Sequence, residues 1–182
     1  MKRNYLLEKI TGLLKEERPG KILDVGCGDG DFSKAAKDLG FNVIAADLDD
    51  GRFKFNGHIE FRKLNLNEAL PFANNYFDYV VAMEIIEHLD NLTFFVEELS
   101  RIMMHSGTLI LSTPNILNLK SRMRFLFEGT FDFFREPPLE QYKDPKSSNL
   151  NIHINICRLQ ELEYVLFKNK FSAKGIVSGT KS

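Results

Sequence analysis

Lys21-Ile-Leu-Asp-Val-Gly-Cys-Gly-Asp-Gly-Asp31 is the stretch that decides the fold. Ile22, Leu23 and Val25 form the short apolar run that a parallel strand buried on both faces requires. Asp24 precedes three glycines at alternate positions, Gly26, Gly28 and Gly30, and Phe32, Ala35, Ala36 and Leu39 follow at helical spacing. The reading is a strand, a tight turn and a helix. Glycine accepts positive φ and has no Cβ, so a ligand can lie directly on main chain there. The first turn of the helix adds N–H groups that have no partner inside the helix and favour an anion. A dinucleotide site would place its third glycine at position 31, which is Asp31, and an acid at that point opposes a pyrophosphate. A nicotinamide oxidoreductase is disfavoured on that ground.

Beyond the glycine helix, Phe41-Asn-Val-Ile-Ala-Ala46 reads as a second buried strand that stops at Asp47. An acid at this point of an open α/β sheet is placed to hold a ribose, because a carboxylate accepts from both hydroxyls. Asp49 and Asp50 compete for the role but lie outside the apolar run. Asp50 to His58 is too short for a crossover helix. Ile59, Phe61 and Leu64 mark a third strand, leading to Asn65-Leu-Asn-Glu68, and Tyr79 to Met83 mark a fourth, ending in Glu84-Ile-Ile-Glu-His-Leu89. The fourth strand is expected beside the first, where the strand order reverses, so its carboxyl end faces the ligand.

Glu84, Glu87 and His88 stand at i, i+3 and i+4, one side of a helix. Three readings stay open. They are surface groups at a helix start, or His88 is a general base, or the trio holds a divalent cation. Leu92, Phe95, Val96, Leu99, Ile102 and Met103 follow a helical period. His105-Ser-Gly107 then reads as a turn, and Thr108 to Thr113 as a fifth strand.

Residues 116 to about 156 break the alternation. Leu119, Met123 and Leu126 predict a short amphipathic helix, amid a dense set of phenylalanines interleaved with Lys120, Arg122, Arg124 and Arg135. The insertion reads as a lid over an apolar or aromatic substrate, or as a local satellite core. The basic and aromatic alternation also fits single-stranded nucleic acid, which the overall charge disfavours. Leu159, Leu162, Val165 and Leu166 predict a last helix, and Phe171 to Ser178 a sixth strand.

Asp24-Val-Gly-Cys-Gly-Asp-Gly30 matches the first motif of class I S-adenosylmethionine (SAM) methyltransferases at each fixed position. Ala69-Leu-Pro-Phe72 with Phe77-Asp-Tyr-Val resembles a further segment of that family. The Glu84-x-x-Glu87-His88 pattern is similar to ubiquinone-biosynthesis O-methyltransferases, some of which use magnesium. Ser112-Thr-Pro-Asn115 resembles the branch that also includes methionine-biosynthesis-like enzymes, within methyltransferase domains of the type 11 or 23 kind. The chain departs from the family at Asn65, where an acid is usual, and at His105-Ser-Gly107, where Pro-Gly-Gly is usual.

The resemblance implies an α/β fold with a Rossmann-like, doubly wound, mostly parallel sheet, its seventh strand lacking or altered. It implies one domain over 1–182 with the lid-like insertion at about 116–156. The expected cofactor is SAM, giving S-adenosylhomocysteine, with magnesium not favoured and no metal ligand assigned. Asp24, Gly26, Cys27, Gly28 and Gly30 would hold its methionine part. Asp47 would bind the ribose, and Leu48, Asn65 and Leu66 would frame the adenine. Met83 and Glu84 would lie under the methionine end, with Glu84 and His88 as catalytic candidates. The acceptor is a small molecule methylated at oxygen or carbon. The alternative is a non-catalytic SAM-binding or regulatory module.

The chain of 182 residues, 43% hydrophobic and 27% charged, is long enough for one domain with a real core. A net charge of -1 gives no footprint for duplex nucleic acid. Two cysteines, Cys27 and Cys157, cannot form a disulfide framework, which favours a reducing, cytoplasmic setting. No apolar run reaches the roughly 20 residues of a membrane span.

Overall fold

The computed structural model describes residues 2–131, 153 and 157–176. Helix α1 (Lys2–Lys15) stops before Pro19-Gly20 and buries Ile10 and Leu14. Leu13, one position before Leu14, is exposed. Strand β1 (Lys21–Val25) buries all four residues after Lys21. Helix α2 (Asp31–Asp38) starts directly on Gly30 and buries Phe32, Ser33 and Ala36. Strand β2 (Asn42–Asp47) includes Asp47 as its last residue, and β3 spans Glu60–Lys63. Strand β4 (Phe77–Met83) leads into a single 3₁₀ turn at Ile86–His88. Helix α3 (Leu92–Ile102) begins on Asn91, whose side chain accepts from the Phe94 N–H, and buries Phe95, Val96, Leu99 and Ile102. Strand β5 (Met103–Ser112), α4 (Leu119–Glu128) and α5 (Leu159–Lys168) complete the described elements.

The five strands lie in the order β3-β2-β1-β4-β5, and every pairing is parallel. Leu23 of β1 is flanked by Ile44 of β2 and Val80 of β4. The chain therefore winds outward on one side of β1 and then returns to its other side. Strand residues alternate between two faces. Leu23, Val25, Ile44, Val80 and Ala82 meet Phe95, Leu99 and Ile102 of α3 in one core layer. Ile22, Val43, Ala45 and Val81 meet Ile10, Leu14, Phe32 and Ala36 of α1 and α2 in the other. The segment before β4 is pinned to α3 by Arg101. Its guanidinium donates to the carbonyls of Leu70 (2.8 Å) and Phe72 (2.7 Å) and pairs with Glu98 at 2.7 Å.

Two expectations are corrected. No turn separates α3 from the fifth strand at His105–Gly107. The strand starts at Met103, and its pairing passes from Phe77↔Met103 to Tyr79↔Thr108, so the intervening residues bulge out. Gly107 fits there because a Cβ would lie 2.9 Å from the Met104 carbonyl and 3.0 Å from that of Asp78. The sixth strand is likewise not formed over residues 171–176; Phe171 packs on the core instead, and 177 and 178 lie outside the described residues.

Candidate functional site

The carboxyl ends of β1, β2 and β4 converge where the strand order reverses, the position at which open α/β sheets form their ligand crevice. Gly26, Gly28 and Gly30 all have positive φ, at 70°, 55° and 85°, so each needs the freedom that glycine alone has cheaply. The Gly26 and Cys27 N–H groups donate to the Ala46 carbonyl, at 2.8 and 3.1 Å, and Gly30 closes the turn onto the Cys27 carbonyl at 3.0 Å. Cys27 itself is buried.

Asp47 is fastened to this turn. Its Oδ2 accepts from the Gly28 N–H at 2.8 Å and its Oδ1 from the Asp49 N–H at 3.1 Å. A carboxylate has about four acceptor positions, so these two bonds leave capacity for a pair of hydroxyls. Leu48, next in sequence, is an exposed apolar side chain, and Leu66 is buried. Asn65 is half-buried and structures its own loop: its amide donates to Glu68 at 2.8 Å and its carbonyl oxygen accepts from the Asn67 N–H at 3.1 Å. Asp24 lies fully buried within β1, where it accepts from the Ser33 hydroxyl at 2.5 Å and ties the strand to α2. The glycine main chain and the Asp47 carboxylate thus stand together, joined through the Gly28 N–H, a set that fits an adenosyl sulfonium compound.

The connection from Asp50 to His58 does more than the sequence disclosed. Arg52 and Lys54 reach Asp29 of the glycine turn at 2.8 and 3.0 Å. Those two cations, Lys54 first, hold the Asp29 carboxyl below its usual range. Phe53 and Phe55 lie against Gly30, where a Cβ would come within 2.5 Å of the Phe53 ring. The alternation of basic and aromatic residues in Arg52-Phe-Lys-Phe55 was the signal available for this latch.

At the end of β4 the expected helix is absent. Met83 is half-buried and packs against the α1–α2 layer. Glu84 has φ 52°, a left-handed conformation uncommon outside glycine and typical of functional sites. It is held there by Ser112, whose carbonyl and hydroxyl both accept from the Glu84 N–H at 3.1 Å and whose hydroxyl donates to Oε1 at 3.0 Å. Glu84, Glu87 and His88 therefore do not share a helix face. Glu87, on the 3₁₀ turn, is buried and accepts from the Thr113 hydroxyl at 3.3 Å. Burial, and then the charge of Glu84, push its carboxyl up to about 7.

The residue that joins Glu87 and His88 is His153, from the insertion. Glu87, His88 and His153 each offer one ligand atom within 4.8 Å of the others, and the two imidazoles meet edge to face at 4.7 Å. Burial, and then His88, hold His153 below the usual histidine range. Cys157 lies in the core layer packed on α3, its thiol pushed up to about 11 by burial and the neighbouring Glu161 and Glu87 carboxylates.

The methyltransferase-domain family model matches residues 2–168. The chain belongs to that family. This methyltransferase domain is 33% identical over 119 residues to a ubiquinone biosynthesis O-methyltransferase of Rickettsia canadensis, covering 61% of this chain and 50% of that one. The mitochondrial protein of that name from Bos taurus is 32% identical over 140 residues, covering 68% of this chain and 38% of that one. The domain thus spans half or less of the length of these two curated relatives. A SAM-dependent methyltransferase from Archaeoglobus fulgidus superposes with a TM-score of 0.64 at 22% identity, over 91% of this chain and 69% of that one, and shares the fold. The family and the Rossmann-like sheet expected from the glycine turn are both borne out. Among the described residues, no helix is long and apolar enough to cross a membrane.

Proposed function

We propose that the protein transfers a methyl group from SAM to a small, apolar or aromatic acceptor at oxygen or carbon. The observation that carries this reading is the junction of the left-handed glycine turn with Asp47, facing the Glu84–His88 segment across the reversal of strand order. When bound, SAM supplies an electrophilic methyl carbon on a sulfonium whose thioether leaves without further activation. The Gly26–Gly30 main chain, with Asp24 and Cys27 behind it, supports the methionine part. Asp47 grips the ribose with its remaining lone pairs, and Leu48, Asn65 and Leu66 frame the adenine. Met83 and Glu84 line the methionine end. Holding nucleophile and electrophile in line lowers a barrier by roughly 7–11 kcal/mol, so positioning is the main task of these residues. His88 removes the acceptor's proton, with Glu87 and His153 fixing its ring; such a base adds about 10²–10⁴-fold. The arrival of His153 beside His88 supports reading 1–182 as one domain whose insertion at about 116–156 covers the acceptor, although 132–152 and 154–156 lie outside the described residues. Two cysteines, Cys27 and Cys157, are too few for a disulfide framework, which supports a cytoplasmic setting.

Titration calorimetry with S-adenosylhomocysteine tests the cofactor reading; folded protein that gives no binding heat would refute it. Labelled SAM offered with phenolic and enolic acceptors then separates an enzyme from a silent binding module, which labels nothing. His88→Gln should retain the calorimetric signal while losing about 10²–10⁴-fold in kcat.

A further inference from the structure

The connection from Asp50 to His58 holds no crossover helix, and side chains fix its place instead. Phe53 is buried in the core layer of α1 and α2, with its ring 4.9 Å from that of Phe61, and Phe55 lies half-buried beside it. These rings anchor the segment, and its two exposed cations reach back to the glycine turn. Arg52 Nη2 donates to Asp29 Oδ1 at 2.8 Å, Lys54 Nζ donates to Oδ2 at 3.0 Å, and the Lys54 N–H donates to the Asp29 carbonyl at 3.2 Å. One residue of the turn is thus gripped at three oxygens by one neighbouring segment.

The same segment reaches the turn by a second route. The Gly28 N–H donates to Asp47 Oδ2 at 2.8 Å, the Asp49 N–H to Asp47 Oδ1 at 3.1 Å, and the Gly51 N–H to Asp49 Oδ1 at 2.9 Å. From Gly51 the chain passes to Arg52 and so back to Asp29, the neighbour of Gly28. The bonds therefore close a circuit. Within it each oxygen of Asp47 meets one N–H, one from the turn and one from the loop after β2. Those two donors fix the tilt of the carboxylate only while turn and loop keep their separation, and Arg52 and Lys54 set that separation. The two cations also offset the charge of Asp29, which otherwise opposes the like charge of Asp47 at the next residue of the turn. We propose that Asp29, Arg52 and Lys54 are positioning residues for the cofactor, a latch that aims the Asp47 carboxylate at the ribose hydroxyls. The proposal rests on the SAM reading above, and the three residues act through Asp47.

The test is calorimetry of the full chain with S-adenosylhomocysteine. Arg52→Gln with Lys54→Gln should weaken binding about 3–10-fold, the range expected for the loss of two exposed ion pairs. Arg52→Lys with Lys54→Arg keeps both cations on Asp29 and should bind within about twofold of the parent. Residues that merely steadied the fold would lower affinity whatever stands at position 47. A positioning pair loses its effect once the carboxylate it aims is gone. In an Asp47→Ala background the glutamine pair should therefore cost less than about twofold further. Parental affinity in the glutamine pair, or an equal loss with and without the Asp47 carboxylate, or a loss in the charge-keeping pair as large as in the glutamine pair, overturns the latch and leaves the methyltransferase reading standing. Absence of binding heat from the folded parent refutes that reading and the latch with it.

Discussion

Asp47 serves the fold and the proposed ligand with one carboxylate. Asp47→Asn keeps an acceptor for the Gly28 N–H, so stability should change little. The amide loses the charge that strengthens bonds from ribose hydroxyls, and calorimetry should find S-adenosylhomocysteine bound about 10–30-fold more weakly. Glu87 gives a pH-dependent counterpart. Its folded value of about 7 lies above that of an ordinary glutamate, 4.5. Below 4.5 both folded and unfolded chains hold the proton. Between 4.5 and 7 the unfolded chain releases it first, so stability falls as pH rises through this window and levels off above it. Glu87→Gln removes that loss: urea denaturation should find it more stable than the parent by about 2–3 kcal/mol at pH near 8 and equal to it at pH near 4. Asp47 was legible because its position follows from one strand and one turn. His153 was legible only through the resemblance of His153-Ile-Asn155 to a His-Ile pair that the family often has near its site, with a buried structural histidine as the alternative; its contact with His88 was not, since 65 residues of chain separate them and no local period records such a meeting.

Among elements, the segment from Leu70 to Tyr76 shows how a stretch without regular structure is fixed. Arg101 serves two carbonyls, the Asn74 side chain and Glu98, and Glu98 also accepts from the Leu70 N–H at 2.7 Å. Lysine cannot reproduce the planar fork. Arg101→Lys should therefore lower unfolding free energy by about 1–3 kcal/mol in urea titrations while leaving cofactor affinity nearly unchanged, because the network lies away from the glycine turn. The strands were readable from short apolar runs bounded by polar ends. Helix α3 was readable from its period. The junction at Met103 was not, because Ile102 and Met103 fit either a last helical turn or a first strand position, and only pairing with Phe77 decides between them. The 3₁₀ turn after β4 escaped for a similar reason: three residues cannot show a period, and the Ser112 bonds that hold Glu84 out of a helix come from another strand.

For the whole molecule, all-parallel pairing makes the centre of the sheet its most non-local part. The Lys21 N–H of β1 donates to the Asp78 carboxylate, 57 residues away, at 2.8 Å. Residues before β4 leave β1 without one of its two neighbours and strip Phe77, Val80 and Phe95 from the core layer. A chain ended at residue 76 should accordingly show no cooperative thermal transition by dichroism. Synthesis adds a direction to this constraint. During translation the glycine turn and Asp47 emerge well before the segment that closes the sheet, at about 5–20 residues per second, and non-local strand pairing is the slow part of folding. The ribosome thus releases a ligand-gripping half that has nothing to grip with until Phe77–Met83 is threaded beside Lys21–Val25. Fold and binding crevice come into being in the same instant, so the cofactor can lend the chain no stability before it.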